Sequence, residues 1–365
     1  QGKDPDVAAA GAITGVTVGT VVALAYMVLD FLLSRGREDT RGTDRPDSAG
    51  SILANILKIA VPITLSSSMV GIVTVIDSSL VQGQLQSALD LTEQASRTLY
   101  GNYSGALNIY NLPTSLMAAI TASVIPAVSA ALARRDRRGA ARITGSALRI
   151  TALLSFPMGV GLFVLGTPII RLLFPKLNVA VAGPLLSTLG IATPFVCMVL
   201  VCNSVLQAHG FINLPVIVMV LGGIVKIVNN YNLVGPIGIA GAPVGNILCF
   251  GLALVLDLVV ITRVIPNRPR LLPIFAKPAA AAAVMGGAAW AVYGLLSRIL
   301  SSEQVDQAGQ TVRAVSRMGN AAGIFLSIAV AGVVYLVLVI ALRAISRDDL
   351  ALMPKGDKLA RLLRL

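Results

Sequence analysis

The chain has 365 residues, of which 55% are apolar and 13% charged, about half the charged share of a soluble domain. This excludes a disordered chain and an ordinary water-soluble fold. A formal charge of +12 would suit nucleic acid if the basic residues were gathered on one face with aromatics, but here they sit between apolar blocks, so no nucleic-acid partner is expected.

In chain order, apolar runs of the length a helix needs to cross about 30 Å of hydrocarbon lie near 11–33, 52–81, 108–133, 143–173, 184–208, 212–234, 237–262, 278–298 and 318–342. Barrel strands are excluded, because they are about 10 residues long and alternate in polarity. The expected fold class is all-α: a polytopic transmembrane helix bundle of nine spans. The first run follows Lys3, Asp4 and Asp6 rather than the basic stretch of a signal peptide, and Gln1 stands where a starting methionine would be. The chain therefore reads as a fragment with an upstream part missing.

The connections give the orientation. If the nine runs alternate across the bilayer, about two thirds of all Lys and Arg fall on one side. They include Arg35 to Arg45, Arg134 to Arg142, Arg263 to Lys277 and the tail from Arg343. The other side holds Lys3, Arg97, Arg171, Lys176, Arg298, Arg313 and Arg317. Basic residues mark cytoplasmic segments, which predicts an outside start and a cytoplasmic C-terminus. The polar, turn-rich segment 34–50 reads as a linker, and 82–107 as a long outside loop containing a short helix. In the tail, 346–365, Leu359, Leu362 and Leu363 recur at helical spacing among Lys355, Lys358, Arg361 and Arg364, so it is expected to lie on anionic lipid. Pro62, Pro113, Pro126, Pro157, Pro168, Pro194, Pro215 and Pro243 lie in or beside spans, which suits helices that bend or rock more than a static anchor.

Charge at mid-membrane costs about 3 kcal/mol or more, so span-embedded polar residues are the functional candidates. Lys226 is the deepest, with Asn229 and Asn230 following at i+3 and i+4; this patch is either glue between helices or part of a polar passage. Asn55, Ser66 and Asp77 are spaced by 11 residues and form one slowly drifting stripe, with Asp77 near an outer end. Asn203, Gln207 and Asn246 are further inward-facing candidates. Lys58 and Arg149 lie about 9 Å inside their spans, close enough for their cations to reach the surface. Asp30 and Asp257 read as interfacial.

Chemistry finds little foothold. Cys197, Cys202 and Cys249 lie in apolar runs and read as small buried hydrophobes. The single histidine, His209, has no metal-ligand partners at suitable spacing. No GxSxG, GxxxxGK[ST] or HExxH pattern is present. The reading is a non-enzyme without a bound cofactor, driven by an H+ or Na+ gradient, the membrane potential or the gradient of its own substrate.

Four stretches carry a family likeness: LYGNYSGALNIYNLPTSLMAAITASVIPAVSAALARRD (99–136), LLSFPMGVGLFVLGTPIIRLLFP (153–175), KIVNNYNLVGPIGIAGAPVGN (226–246) and LMPKGDKLARLL (352–363). They resemble the stage V sporulation protein B group, within the superfamily of multidrug, oligosaccharidyl-lipid and polysaccharide (MOP) exporters. The resemblance implies a MATE-like fold with two six-helix lobes and two extra helices, so that nine spans of an expected fourteen are present. On that template 1–34 is the last helix of the N-terminal lobe and 35–50 a cytoplasmic linker. Residues 51–265 are the six-helix C-terminal lobe, 266–345 the two additional helices and 346–365 the tail. It further implies a flippase of the bacterial cytoplasmic membrane, moving a lipid-linked glycan such as a peptidoglycan precursor by alternating access, with cell-wall synthesis enzymes as partners. Lys226, Lys58 and Arg149 are the span-embedded cations available to a pyrophosphate-linked headgroup. The competing readings are an ion-coupled small-molecule antiporter of the same fold, a non-transporting scaffold in envelope or spore-coat assembly, and a membrane glycan ligase.

Overall fold

The structure is a computed structural model that describes the backbone of residues 5–34, 48–264, 271–299, 301–305, 311–342 and 344. The expected linker and amphipathic tail lie outside the described residues, apart from 48–50, as do the side chains of Asn55 and Ser66. Among the described residues there are nine α-helices: α1 Pro5–Ser34, α2 Ala49–Leu89, α3 Glu93–Ala133, α4 Arg137–Leu173, α5 Val179–Ala208, α6 Leu214–Ile237, α7 Gly241–Val264, α8 Leu271–Ile299 and α9 Arg317–Ala341. One 3-10 turn, Gly238–Ala240, joins α6 to α7, and a small antiparallel hairpin, β1 Ser301–Val305 with β2 Thr311–Val315, joins α8 to α9. The helices coincide one for one with the nine apolar runs. Six helical stretches among the described residues are long and apolar enough to cross a membrane, and one of these, Leu214–Arg263, contains both α6 and α7.

The chain divides into two compact units, Gln1–Ile56 and Leu57–Leu365. The first holds α1, whose described side chains, Val16 to Leu33, are exposed and predominantly apolar. The second is a bundle centred on α5, which packs against α3, α4 and α7; α6 pairs with α7, and α8 and α9 pair with each other against α4. The centre of α5 is almost wholly apolar and buried around its circumference, from Leu185 to Leu206. Such an all-round apolar helix belongs inside a bundle. By contrast Leu112, Phe163, Leu221, Val228, Val255, Trp290, Phe325 and Leu336 on the surrounding helices face outward and exposed, as residues covered by lipid do.

Close helix contact comes from small residues. A Cβ on Gly159 of α4 would stand 2.7 Å from the Gly190 carbonyl oxygen and 2.7 Å from Pro194 Cδ of α5, nearer than atoms pack. Gly166 and Gly183 repeat the contact about two turns away, so the α4–α5 seam rests on backbone against backbone, the usual device where lipid offers no hydrophobic drive between helices. Helix starts carry side-chain caps: Thr92 accepts from the Ala95 N–H, Asp136 from Gly139, Asn178 from Ala180 and Ser316 from Gly319.

Three expectations are corrected. Residues 82–107 are not a loop: α2 continues to Leu89 and α3 begins at Glu93, leaving only 90–92 as a turn, with Asp90 at φ 50°. Val81 and Leu85, one turn apart, bury against Tyr103 and Ala106, so the polar residues of this stretch ride on helices with an apolar inner face. Asp77 lies 12 residues before the end of α2 and is 4% exposed, so it is buried rather than solvated. Asp257 is likewise not interfacial: it lies within α7 and is 0% exposed.

Candidate functional site

Two hollows lie back to back across α3. On one side, the polar residues of α3 recur at helical spacing as Tyr110, Asn111, Thr114, Ser115 and Thr121. They face Asn203, Ser204 and Gln207 of α5, Lys226 of α6, Asn246 of α7 and Asp77 of α2 around a cavity of about 540 Å³. On the other side Ile109, Leu112, Pro113 and Leu116 of the same turns join Leu162, Leu165, Met285 and Tyr335 in an apolar groove of about 620 Å³.

The cavity's charge is set by one buried pair. Lys226 Nζ lies 3.1 Å from Asp77 Oδ2, and the two residues are 9% and 4% exposed. Asn230, one turn beyond Lys226, donates its amide to the other carboxylate oxygen, Asp77 Oδ1. A buried ammonium without such a partner would be severely penalised, so each ion makes the other tolerable. Gly245 of α7 leaves the space that Asn230 Oδ1 occupies; a Cβ there would overlap it. Next to this cluster Asn246 Nδ2 donates to Tyr103 Oη at 2.8 Å. Three buried polar atoms at or beside the cavity have no hydrogen-bond partner among the described residues: Tyr110 Oη, Asn203 Oδ1 and Asn230 Oδ1. Unsatisfied groups converging on a hollow are the features a polar ligand would complete.

The structure thus brings together Asp77, Asn203, Gln207, Lys226, Asn230 and Asn246. It turns Asn229 away, its amide donating to the Val225 carbonyl of its own helix at 2.8 Å. Lys58 is exposed and Arg149 half-buried, and neither lines the cavity. Asn55 and Ser66 lie outside the residues with described side chains. The α3 residues are not among the sequence candidates, although their 111, 114, 115, 121 spacing is visible in the chain. They carry no charge, and hydroxyls such as those of Thr114, Ser115 and Thr121 bond back to carbonyls of their own helix, so their presence in a span costs little. His209 caps the end of α5, its Nδ1 2.9 Å from the Val205 carbonyl.

A helical bundle with wide lipid-facing surfaces around a polar hollow is the build of a multi-pass membrane protein. The profile of the lipid II flippase MurJ family matches residues 3–304, and the chain belongs to that family. Over 247 residues it is 25% identical to the uncharacterized membrane protein YabM of Bacillus subtilis (strain 168), an alignment covering 67% of this chain and 45% of YabM. The chain thus spans about half the length of that relative. Among solved structures, a lipid II flippase MurJ in an inward closed conformation superposes with a TM-score of 0.58 at 16% identity, over 82% of this chain and 57% of that one. A MOP superfamily transporter from Pyrococcus furiosus Vc1 (DSM3638) aligns at 0.48 with 16% identity, over 85% of this chain and 66% of the other. The expected likeness to a flippase family is met by the lipid II flippase profile, while nothing singles out the stage V sporulation protein B group.

Proposed function

We propose that the protein moves a lipid-linked glycan with an anionic headgroup across the bacterial cytoplasmic membrane. The observation that carries this reading is the partition of α3: within two helical turns it walls a polar cavity on one side and an apolar groove on the other. An amphipathic cargo needs both, a wet hollow for sugars and phosphate and a dry one for its hydrocarbon tail. Membership of a lipid II flippase family supports a peptidoglycan precursor as the cargo.

In this reading Lys226 supplies the cation on the cavity wall. Before cargo enters, Asp77 neutralises it; a pyrophosphate oxygen entering the cavity competes with Asp77 for the ammonium and so is held without leaving a bare buried charge. The unit Leu57–Leu365 forms one wall of the passage, and alternating access exposes it to each leaflet in turn. Residues 51–265 act as the six-helix lobe, 266–345 as an added helix pair and 346–365 as a lipid-surface tail, with the arginine-rich connections and the C-terminus cytoplasmic.

The test is translocation of a fluorescently labelled lipid-linked precursor by the protein in vesicles. Lys226→Ala should slow it by about tenfold or more, equivalent to about 1.4 kcal/mol of lost interaction. An unchanged rate removes Lys226 from the path. Efflux of cationic dyes without precursor movement would instead favour the antiporter reading.

A further inference from the structure

The most isolated charge-bearing group described in the protein is not in the cavity. Asp257 of α7 is 0% exposed, and neither carboxylate oxygen has a hydrogen-bond partner among the described residues. Its helical neighbours Ala253, Leu254 and Ile261 belong to an apolar cluster with Leu148, Val205 and Leu206. An ionised carboxylate in such surroundings would forgo both water and partners, a state proteins avoid by neutralising the group.

Its position links it to the cavity. Asp257 lies seven residues beyond Phe250 and eleven beyond Asn246, so all three share one face of α7, drifting by about 20°. Phe250 and Asn246 line the polar cavity; Asp257 continues that face about 10 Å further along the helix. It therefore lies beyond Phe250 toward the end of the bundle where α5 and α7 finish, the end that also carries the Arg134–Arg142 connection. Across the interface on α5, Cys202 lies within electrostatic range, and its neighbour Asn203 faces the cavity with an unpartnered oxygen.

Among the described residues, the charged or titratable groups that fall within two positions of members of this apolar cluster include Arg142 and Arg149 on α4, His209 at the end of α5, Arg263 on α7 and Lys277 on α8. None of them hydrogen-bonds either Asp257 oxygen. On α6, Lys226 stands beside Cys249 instead, two turns away along α7. No group of three or more His, Cys, Asp or Glu side chains suited to a metal ion occurs among the described residues.

We propose that Asp257 is a proton-binding site: its carboxyl holds a proton while this end of the bundle is shut and gives it to water when α5 and α7 part. The step is protonation of one carboxylate oxygen and its reversal, with water as the other partner. It stands apart from the identity of the cargo, since it rests on the closed bundle alone, and it would supply the coupling of opening to a proton gradient.

The full chain in lipid vesicles tests this with two readouts. Infrared difference spectra between acidic and alkaline buffer should contain a protonated-carboxyl stretch that shifts in D2O, is lost in Asp257→Asn and returns displaced in Asp257→Glu. In a Cys197→Ser, Cys249→Ser background, alkylation of Cys202, measured relative to a free thiol in the same buffer, should accelerate several-fold as pH rises, because exposure of the thiol outweighs the repulsion of its thiolate by the Asp257 anion, and Asp257→Asn should remove that acceleration. A band that follows NaCl or KCl rather than pH would mark a metal-cation site and overturn the proposal. So would a wild-type spectrum without the band. If Asp257→Asn does not fold, a relative Cys202 alkylation rate independent of pH in the otherwise unaltered chain overturns it equally.

Discussion

Lys226 shows what one residue needs before it can be read. Its depth and its neighbouring asparagines are visible in the chain, but which of the two amides matters is decided by another helix. Asn230 reaches Asp77 on α2, while Asn229 bonds back to Val225. Removing one member of a buried pair leaves the other uncompensated, so Asp77→Asn should lower unfolding free energy by about 3 to 5 kcal/mol. Adding Lys226→Met should restore most of that loss, measured by chemical denaturation in detergent as a double-mutant cycle. A loss in the double variant equal to the sum of the two single losses would mean that the pair is not coupled. Asp257 failed to be legible for a related reason: counting residues from a helix end measures depth along one axis and ignores what packs alongside.

Among the elements, the prolines are the most informative. Proline removes the N–H that would bond the carbonyl four residues earlier, so Pro157 frees the Leu153 carbonyl inside α4. Tyr335 of α9 takes the place of that missing donor, its hydroxyl donating to the Leu153 oxygen at 2.7 Å. A second clamp lies toward the other end of α4, where Asn320 donates to the Pro168 carbonyl at 3.1 Å and accepts from the Tyr293 hydroxyl of α8. Helix α9 is thus fastened to α4 at both of these points, one of them a break in α4's own ladder. Tyr335→Phe should cost about 1 to 3 kcal/mol by leaving the buried carbonyl unpaired. In a Pro157→Ala background the same change should cost less, because the backbone N–H restored at position 157 then serves that carbonyl. Hydrogen exchange along α9 reads both effects; an identical cost in the two backgrounds would refute the coupling. The helices themselves were legible, since length and apolarity suffice for a span. The extra turns of α2 and α3 were not, because their polar outer faces hide an apolar inner stripe, Val81, Leu85, Tyr103 and Ala106, that belongs to two different helices.

At the scale of the whole molecule, charge asymmetry is the strongest topological signal in the chain and the easiest to check. Cysteines placed singly at 134–142 and at 263–277, in a background without native cysteines, should both react with an impermeant reagent from the same side of the membrane. Labelling from opposite sides would undo the proposed threading and the transport reading with it. Composition established a membrane protein, and the quoted stretches pointed to a flippase family. The partition of α3 between a polar and an apolar hollow could not be read in advance, because a groove is made by helices distant in sequence, here α4, α8 and α9.

Helix α3 has 41 residues, about 60 Å at 1.5 Å per residue, twice the thickness of a bilayer's hydrocarbon. Its first turns carry the exposed Glu93–Arg97 ion pair and meet α2 through a turn at 90–92, so the two helix ends form a finger with a charged tip. A small membrane protein offers image alignment few landmarks outside its micelle. This finger is a natural seat for one: a rigid domain grafted at 90–92 would report directly on the tilt of the helix that walls both hollows.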